Sequence, residues 1–251
     1  MSRIRDDLLR NLPQGDVSDV LIGMHWTAVV AETDSGRQCG LASTLSKSRA
    51  HHGQPDVPQA GQLTNLSGTE LAFLAKSEEQ ALASIGIAAV NALSEKNPAD
   101  WIDLNAEDVI VKHGAGKKVA LIGRFPFTSR LRSQVGELQV LEQSPGPGDL
   151  PASAAPEVIP RADVVAITGT TLINHTAEDL LNLCSARSLV IILGPSTPLS
   201  PILFDYGADI LCGSVVTSIG PVLKTVGQGG NFRQVHRAGV RTVTMTRSRY
   251  N

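Results

Sequence analysis

Aromatic side chains and excess positive charge are both scarce in this sequence. Phe, Trp and Tyr make up 4% of the 251 residues, and the formal net charge is −2 at neutral pH. Proteins that bind single-stranded nucleic acid rely on aromatic stacking, and proteins that bind duplex DNA carry basic patches or runs. The composition therefore argues against nucleic acid as a partner.

Long apolar runs are also absent from the sequence. No stretch approaches the roughly 20 apolar residues that span a bilayer, so we expect no membrane partner. Residues 1–12, MSRIRDDLLRNL, predict an amphipathic helix, and their acidic residues do not match a signal peptide. We therefore expect a cytoplasmic protein.

Cysteine is rare, and its spacing excludes the common thiol motifs. Cys39, Cys184 and Cys212 lie far apart and form no CxxC pair, which favours reduced thiols over a disulfide framework. Cys184 is predicted in an apolar helix and Cys212 in an apolar strand. Core packing is therefore the favoured interpretation of both.

No set of potential metal ligands has the spacing of a preformed zinc site. Two of the candidates are adjacent histidines in a polar loop, where neighbouring side chains point to opposite sides of an extended chain. We therefore assign no metal ligand, and the only cofactor considered is a metal ion carried by a chelating ligand. The candidates examined are His25, Glu32, Cys39, His51, His52 and Asp56.

The phosphate-binding glycine motifs are missing as well. A dinucleotide site needs GxGxxG after the first strand of the sheet, but only Gly123 follows the predicted strand, and Pro126 removes a backbone donor from that turn. The sequence after Gly116-Lys117 continues with Lys118, which excludes a P-loop. Glu142 ends the next strand, where a carboxylate could accept a hydrogen bond from a ribose hydroxyl. This partial match to a dinucleotide site is compatible with a nucleoside ligand and disfavours NAD.

From Lys117 onward, short apolar runs alternate with helical segments. This alternation predicts a parallel, Rossmann-like sheet in the α/β fold class. A connection rich in Pro, Gly and Ser spans residues 144–156, and the tail after Gly227 is left unassigned. The predicted strands are Val119–Ile122, Leu138–Leu141, a strand from Val164, Leu189–Leu193 and Ile210–Cys212.

The first hundred residues predict a small α+β unit. A β-rich run over residues 20–31, a turn at 34–36 and a return strand over 38–44 predict a hairpin, and residues 46–61 predict a loop. Ser67 and Ser77 each begin a four-residue pattern with the spacing of a capping box. The second box predicts a long helix over residues 78–95.

The stretch over residues 163–179 is central to the predicted sheet. An apolar strand is followed at once by Thr168-Gly169-Thr170-Thr171, and Thr176 then predicts a helix N-cap. Open α/β sheets bind ligands at such a junction. The alternative is an ordinary turn with capping threonines. The nearby His175 is interpreted as an exposed bystander in preference to a proton shuttle.

Several longer segments resemble one protein family. The motifs ITGTTLINHTAEDLL, ILGPSTPLSPILFDYGADILCGSVV, IGRFPF and SIGIAAVNAL resemble the DUF364 family, which is associated with heavy-metal chelation. The resemblance implies a domain like the enolase N-terminal fold (DUF4213 type) over residues 1–113 and a Rossmann-like domain over residues 114–251, with a site between them. One departure is Arg124, where we expect a smaller or neutral residue.

We therefore predict an interdomain cleft that binds a small anionic or metal-chelating molecule, with a role in heavy-metal chelation. Sheet-edge turns would form one wall, and the hairpin around Trp26 with the helix near Asn91 would form the other. No catalytic residue is assigned. The predicted ligand-binding residues are Trp26, Asn91, Gly123, Phe125, Pro126, Glu142, Thr168, Gly169, Thr170, Thr171, Asn174, Gly194, Pro195, Ser196 and Thr197.

Two other functions stay open at this point. The same cleft could belong to an enzyme that makes a chelator, a siderophore or a pyridine derivative, with a nucleotide as cosubstrate. The chain could instead be a scaffold or assembly protein with a vestigial pocket, and a homo-oligomer is compatible with all three functions. The shortage of obvious catalytic acids and bases favours binding over catalysis.

Overall fold

Both halves of the chain contain a β-sheet in the computed structural model, which describes residues 3–46 and 54–247. The N-terminal part contains α1 (Arg3–Arg10), β1 (Asp16–Ile22), β2 (Trp26–Thr33), β3 (Gly36–Ser43), α2 (Gly68–Phe73) and α3 (Gln80–Leu93). The C-terminal part contains α4 (Ala106–Gly114), β4 (Lys118–Ile122), α5 (Thr128–Leu131), β5 (Glu137–Glu142), β6 (Leu150–Pro151), α6 (Ala155–Val158), β7 (Val164–Thr168), α7 (Ala177–Asn182), β8 (Leu189–Leu193), α8 (Ile202–Asp205), β9 (Ile210–Val216), α9 (Ile219–Gly227), α10 (Phe232–Gly239) and β10 (Val240–Thr246).

The small sheet is antiparallel, with β2 between β1 and β3. The predicted turn over residues 34–36 is confirmed, and Gly36 adopts a φ of +96° there. The prediction of one β-run over residues 20–31 is wrong, because the chain reverses between Ile22 and Trp26. The Gly23 N–H donates to the Trp26 carbonyl at 2.9 Å and closes this reversal. Residues 47–53, with His51 and His52 of the predicted loop, lie outside the described residues.

Only one of the two predicted capping boxes forms. At α2, the Ser67 hydroxyl accepts from the Glu70 N–H, and the Glu70 carboxylate accepts from the Ser67 N–H. At α3, the N-cap is Glu79, which makes no side-chain cap bond. The Ser77 hydroxyl instead accepts from the Glu79 N–H at 3.2 Å, so it closes a turn before the helix. The helix spans Gln80–Leu93 and is shorter than predicted at both ends.

The large sheet has the strand order β10-β9-β8-β7-β4-β5-β6. All neighbouring pairs are parallel except β9 and β10. The predicted α/β class and the five central strands are confirmed. Strand β6 lies in the connection over residues 144–156, where no strand was predicted. Helix α10 and strand β10 lie in the tail that was left unassigned. The likeness of the N-terminal part to the enolase N-terminal fold stays a prediction.

The apolar core on one face of the large sheet is continuous with the core of the N-terminal part. Leu71, Ile87 and Leu93 from the first part belong to the same buried cluster as Ile122 and Ile167 from the sheet. On the opposite face, α4 contributes Val109 and Ile110 to a separate cluster with β4, β5, β7 and β8. The division of the chain at residues 113 and 114 stays a prediction. No helix within the described residues combines the length and apolar character needed to cross a bilayer.

Helix α3 approaches its neighbours closely at two glycines. A Cβ atom on Gly40 of β3 would lie 2.1 Å from the Ala88 carbonyl oxygen and 2.2 Å from the Ala92 nitrogen. A Cβ atom on Gly86 would lie 1.9 Å from the Ala75 nitrogen. Because these contacts are to backbone atoms, a side chain cannot be accommodated by a change of rotamer.

We expect Gly40→Ala to destabilise the protein by about 2 kcal/mol or more, because overpacking forces the backbone of α3 away from the sheet. Urea unfolding measures this change. The control is Gly220→Ala in α9, where a Cβ atom would meet nothing within 4 Å. Equal unfolding free energies for Gly40→Ala and the wild type would contradict the close packing of α3 on β3.

Candidate functional site

The candidate site lies where the strand order of the large sheet reverses direction. Strand β4 pairs with β5 on one side and with β7 on the other. The connections that leave the carboxyl ends of β4 and β7 therefore diverge, and doubly wound sheets bind ligands in the crevice that this creates. A cavity of about 710 Å³ occupies this position.

The turn after β4 forms the first wall of the cavity. Gly123 has a φ of +98°, which favours glycine because side chains rarely adopt this region. The Arg124 N–H then donates to Glu142 Oε1 at 2.5 Å, and the Phe125 N–H donates to Thr128 Oγ1 at 3.0 Å. The Glu142 carboxylate thus already holds the turn in place, and only part of its hydrogen-bonding capacity is left for a ligand.

The turn after β7 is a short 3₁₀ helix over Gly169–Leu172. The hydroxyls of Thr168 and Thr170 lie 3.1 Å apart at the cavity, whereas the buried Thr171 hydroxyl donates to the Thr168 carbonyl. Asn174 Oδ1 accepts from the Thr176 hydroxyl at 2.7 Å. This geometry leaves the Asn174 amide N–H groups to donate to a ligand.

The predicted side-chain cap of the following helix is wrong. Thr176 is the N-cap residue of α7, but its hydroxyl makes no capping bond. It donates instead to Asn174 within the loop, because His175 between them has a φ of +68° and turns the chain back. The threonine therefore orders the cavity wall, and the helix start has no side-chain cap.

The turn after β8 packs directly against the turn after β7. A Cβ atom on Gly169 would lie 2.6 Å from Thr197 Oγ1 and 2.7 Å from the Thr197 nitrogen. The hydroxyl of Ser196 accepts from the Ser43 N–H at 2.9 Å and lies 3.2 Å from the Ser43 hydroxyl. Asn91 Nδ2 donates to the Leu41 carbonyl at 2.8 Å. The predicted juxtaposition of the two turns under the N-terminal part is thus present.

An aromatic pair closes the cavity on its outer side. The rings of Trp26 and Phe232 pack at 5.5 Å with an interplanar angle of 53°. The indole Nε1 is buried and has no hydrogen-bond partner among the described residues. On the opposite side, Phe125 stacks on Phe127 at 5.2 Å. Trp26 therefore offers its ring surface to the cavity, while its buried indole N–H is left without an acceptor, which is a costly arrangement.

Thirteen of the fifteen predicted residues line the cavity, and two do not. Thr197 is buried against Gly169, with 2% of its surface exposed. Asn91 Nδ2 donates to the Leu41 carbonyl and lies 3.4 Å from the Pro195 carbonyl oxygen. Asn91 therefore stabilises the cavity wall without lining the cavity. The lining residues that were not predicted are Ser43, Leu45, Ile122, Arg124, Leu141, Gln143, Ala152, Ser153, Ala155, Pro156, Thr176, Asp179, Leu180, Leu183 and Phe232.

Comparison with known proteins assigns the chain to a family. The DUF364 model, described as "Putative heavy-metal chelation", matches residues 105–245, more than half of the chain. The chain belongs to the DUF364 family. The DUF4213 model, with the same description, matches residues 5–94.

Relatives of this DUF364 protein cover most of its length. "Uncharacterized protein MJ0500" of Methanocaldococcus jannaschii is 28% identical over 223 residues, which are 82% of this chain and 81% of that protein. A crystal structure of a DUF364 protein from Desulfitobacterium hafniense is 27% identical, with a TM-score of 0.84 over 97% of this chain and 98% of the other. One from Pyrococcus horikoshii is 20% identical, with a TM-score of 0.80 over 98% and 99%, and it shows the fold alone.

Five of the cavity residues that were not predicted in this DUF364 protein lie in two segments for which no role was predicted. Residues 152–156 fall in the Pro-, Gly- and Ser-rich connection, and Phe232 falls in the unassigned tail. The only local signal was the capping box Asn231–Gln234, which starts the helix that carries Phe232. No sequence pattern in residues 152–156 indicated that this connection returns to the carboxyl edge of the sheet, where the cavity lies.

Arg124 contributes little free charge to the cavity. Its guanidinium pairs with Asp149, whose side chain is 2% exposed, and Arg132 lies 3.8 Å from the other oxygen of that carboxylate. Burial of Asp149 opposes its ionisation, but the hydrogen bonds from Arg124 and the Gly146 N–H and the two arginine charges outweigh burial. They hold the pKa of Asp149 below its ordinary value. Arg124, which was not expected at this position, therefore stabilises the loop over residues 146–149.

The described residues offer no metal site of their own. No group of three or more His, Cys, Asp or Glu side chains within them could hold a metal ion. Burial raises the pKa of Cys39 to about 12 and that of Cys212 to about 11. The pKa of Cys184, which lies just beyond α7 and not within a helix as predicted, also rises to about 12, through burial and the charge of Asp209. All three remain protonated thiols near neutral pH, and metal ions bind thiolates.

His175 faces away from the cavity, toward the N-terminal part. Its Nδ1 lies 3.4 Å from the Glu78 carboxylate, and its side chain is 13% exposed. Burial and then the nearby Arg5 charge lower the pKa of His175, and this outweighs the opposing effect of Glu78 and of a bond to the Ala75 backbone. The residue is therefore a neutral contact between the two parts and not an exposed bystander.

Because the folded pKa of His175 lies below the unfolded value of about 6.5, the unfolded state takes up the proton first as pH falls. We expect wild-type stability to decrease below about pH 6.5 more steeply than that of His175→Asn, a residue that tolerates positive φ. Urea unfolding between about pH 7.5 and pH 5 measures this difference. The exposed His25→Asn controls for loss of a histidine, and parallel curves for wild type and His175→Asn would contradict the assignment.

Proposed function

We propose that the cavity binds a small metal-chelating molecule with its metal, in a cleft between the N-terminal part and the large sheet. The observation that carries this proposal is the cavity at the strand-order reversal, with a mostly apolar wall, a few polar groups and two carboxylates. The family description, heavy-metal chelation, supports the same general role.

The size and lining of the cavity suit a small organic molecule. Its volume of about 710 Å³ falls within the range of roughly 300–1,000 Å³ that small-molecule sites occupy. Ile122, Leu141 and Leu180 supply apolar contacts, while Thr170 and Asn174 supply hydrogen bonds. This combination fits a ligand with an apolar or planar body and a few oxygen or nitrogen atoms.

The charges around the cavity favour a ligand with a positive centre. Glu142 and Asp179 both line it, and Asp179 is exposed and makes no ion pair with another described residue. Arg124, the one cationic side chain among the described lining residues, is neutralised by Asp149. A bare polyanion would meet uncompensated carboxylates, whereas a bound metal ion would meet ligands of the opposite charge.

The metal would arrive with its chelator and not as a free ion. The described residues hold no group of three or more metal-binding side chains. Two carboxylates, of which Glu142 already accepts the Arg124 N–H, do not make a strong site. Glu142 and Asp179 would attract the metal electrostatically or complete its coordination. Trp26, Thr170 and Asn174 would bind the organic part.

Calorimetric titration with Ni²⁺ alone, pyridine-2,6-dicarboxylate alone and their complex tests this proposal. We expect the complex to bind at least about tenfold more tightly than either component. The substitution Asp179→Asn should weaken binding of the complex by about tenfold, since a lost charged contact costs more than about 1.4 kcal/mol. Asp34→Asn, in an exposed turn, is the matched control. Tight binding of Ni²⁺ alone would contradict a chelator-borne metal, and unchanged binding by Asp179→Asn would remove the role of that carboxylate.

A thermal-shift screen with NAD, S-adenosylmethionine and ATP separates binding from catalysis. A shift with one of these cosubstrates, and none with the metal complex, would replace the proposal by an enzyme that makes a chelator. No response to any of these molecules, together with a stable oligomer by light scattering, would favour a scaffold with an unused cavity.

A further inference from the structure

A second cavity, of about 350 Å³, lies at the opposite end of the same sheet face. It opens beside Lys118 and Glu137, the first residues of β4 and β5. The segment over residues 150–162 covers it and separates it from the first cavity. Different residues of this segment face the two spaces, since Ser153 and Ala155 line the first and Ala154 and Val158 line the second.

Four charged side chains surround this second cavity without pairing. Lys118 and Glu137 are direct partners in the β4–β5 register, and Glu157 and Arg161 are four residues apart in the covering segment. The register places Lys118 and Glu137 side by side on neighbouring strands, and Arg161 lies in the 3₁₀ turn that follows Glu157 and α6. None of the four nevertheless makes an ion pair with any residue in the described parts of the chain, and all four are exposed.

The remaining lining is mainly aliphatic. Leu150, Ala154, Val158 and Ala162 lie below the charged rim, and Gln139 adds one amide. A rim with two cations and two anions above an aliphatic floor matches a molecule that carries both charges and a short hydrocarbon group. Neither an anion nor a cation alone would use all of these groups.

We infer that this second cavity binds a small zwitterion of the aliphatic amino acid class. Its carboxylate would contact Lys118 and Arg161, its ammonium group would contact Glu137 and Glu157, and its hydrocarbon group would lie on Leu150 and Val158. Because an exposed ion pair contributes little to stability, the protein loses little by keeping these charges apart until a ligand bridges them. The inference does not depend on the function proposed for the first cavity.

Calorimetric titration of the full chain with L-leucine, isovalerate and isoamylamine tests the inference. These three molecules carry a similar hydrocarbon group with both charges, the negative charge alone or the positive charge alone. We expect saturable binding of L-leucine and at least about tenfold weaker binding of the other two, because each loses one charged contact.

Variants then locate the binding site. Glu157→Gln and Arg161→Gln should each weaken L-leucine binding by about tenfold or more. Arg187→Gln, an exposed arginine outside both cavities, and Thr170→Val in the first cavity should bind like the wild type. The inference is overturned by absent L-leucine binding, by equal binding of isovalerate or isoamylamine, by unchanged binding in the two rim variants, or by loss of binding in Thr170→Val.

Discussion

The candidate site depends on the hydrogen bonds between the Ser196 hydroxyl and Ser43. They hold the turn after β8 to Ser43 at the end of β3, while Gly169 allows the turn after β7 to pack against Thr197 without a gap. Together these contacts bring two turns of the large sheet and one strand of the small sheet to a single edge. Side chains from residues far apart in the sequence thereby face one cavity.

Polar groups around that cavity divide into those that build it and those left for a ligand. Ser196, Thr171 and one oxygen of the Glu142 carboxylate are committed to protein contacts. Asp179 and the Asn174 amide N–H groups have no such contact with another described residue. A hydroxyl-rich turn therefore supplies fewer ligand contacts than its composition suggests, because a sharp turn first has to satisfy its own backbone groups.

The continuous core explains why the two parts of the chain form one site. Leu93 and Ile167 lie in the same buried cluster although they belong to different sheets. The cavity wall therefore has rigid support on both sides. The segment over residues 150–162 is held to the sheet by a two-residue strand and by Ala155, Val158 and Ile159 in the core, and it lines a cavity on each side.

The sequence by itself determined the α/β class, the central strands, the first capping box and the turns at the sheet edge, because apolar periodicity and turn chemistry are local signals. Twelve cavity residues followed from the rule that parallel strands carry ligand sites at their carboxyl ends, and Trp26 followed from the predicted hairpin opposite them. Only the tertiary structure decided that the Ser196 hydroxyl bonds to Ser43 and that the Thr176 hydroxyl bonds within its loop instead of capping its helix. It also decided that Phe232 and the connection over residues 152–156 return to the cavity. The outcomes for Ser196, Phe232 and the connection over residues 152–156 depend on contacts between segments far apart in the sequence. The outcome for Thr176 depends on the positive φ of His175, and no local pattern predicts either.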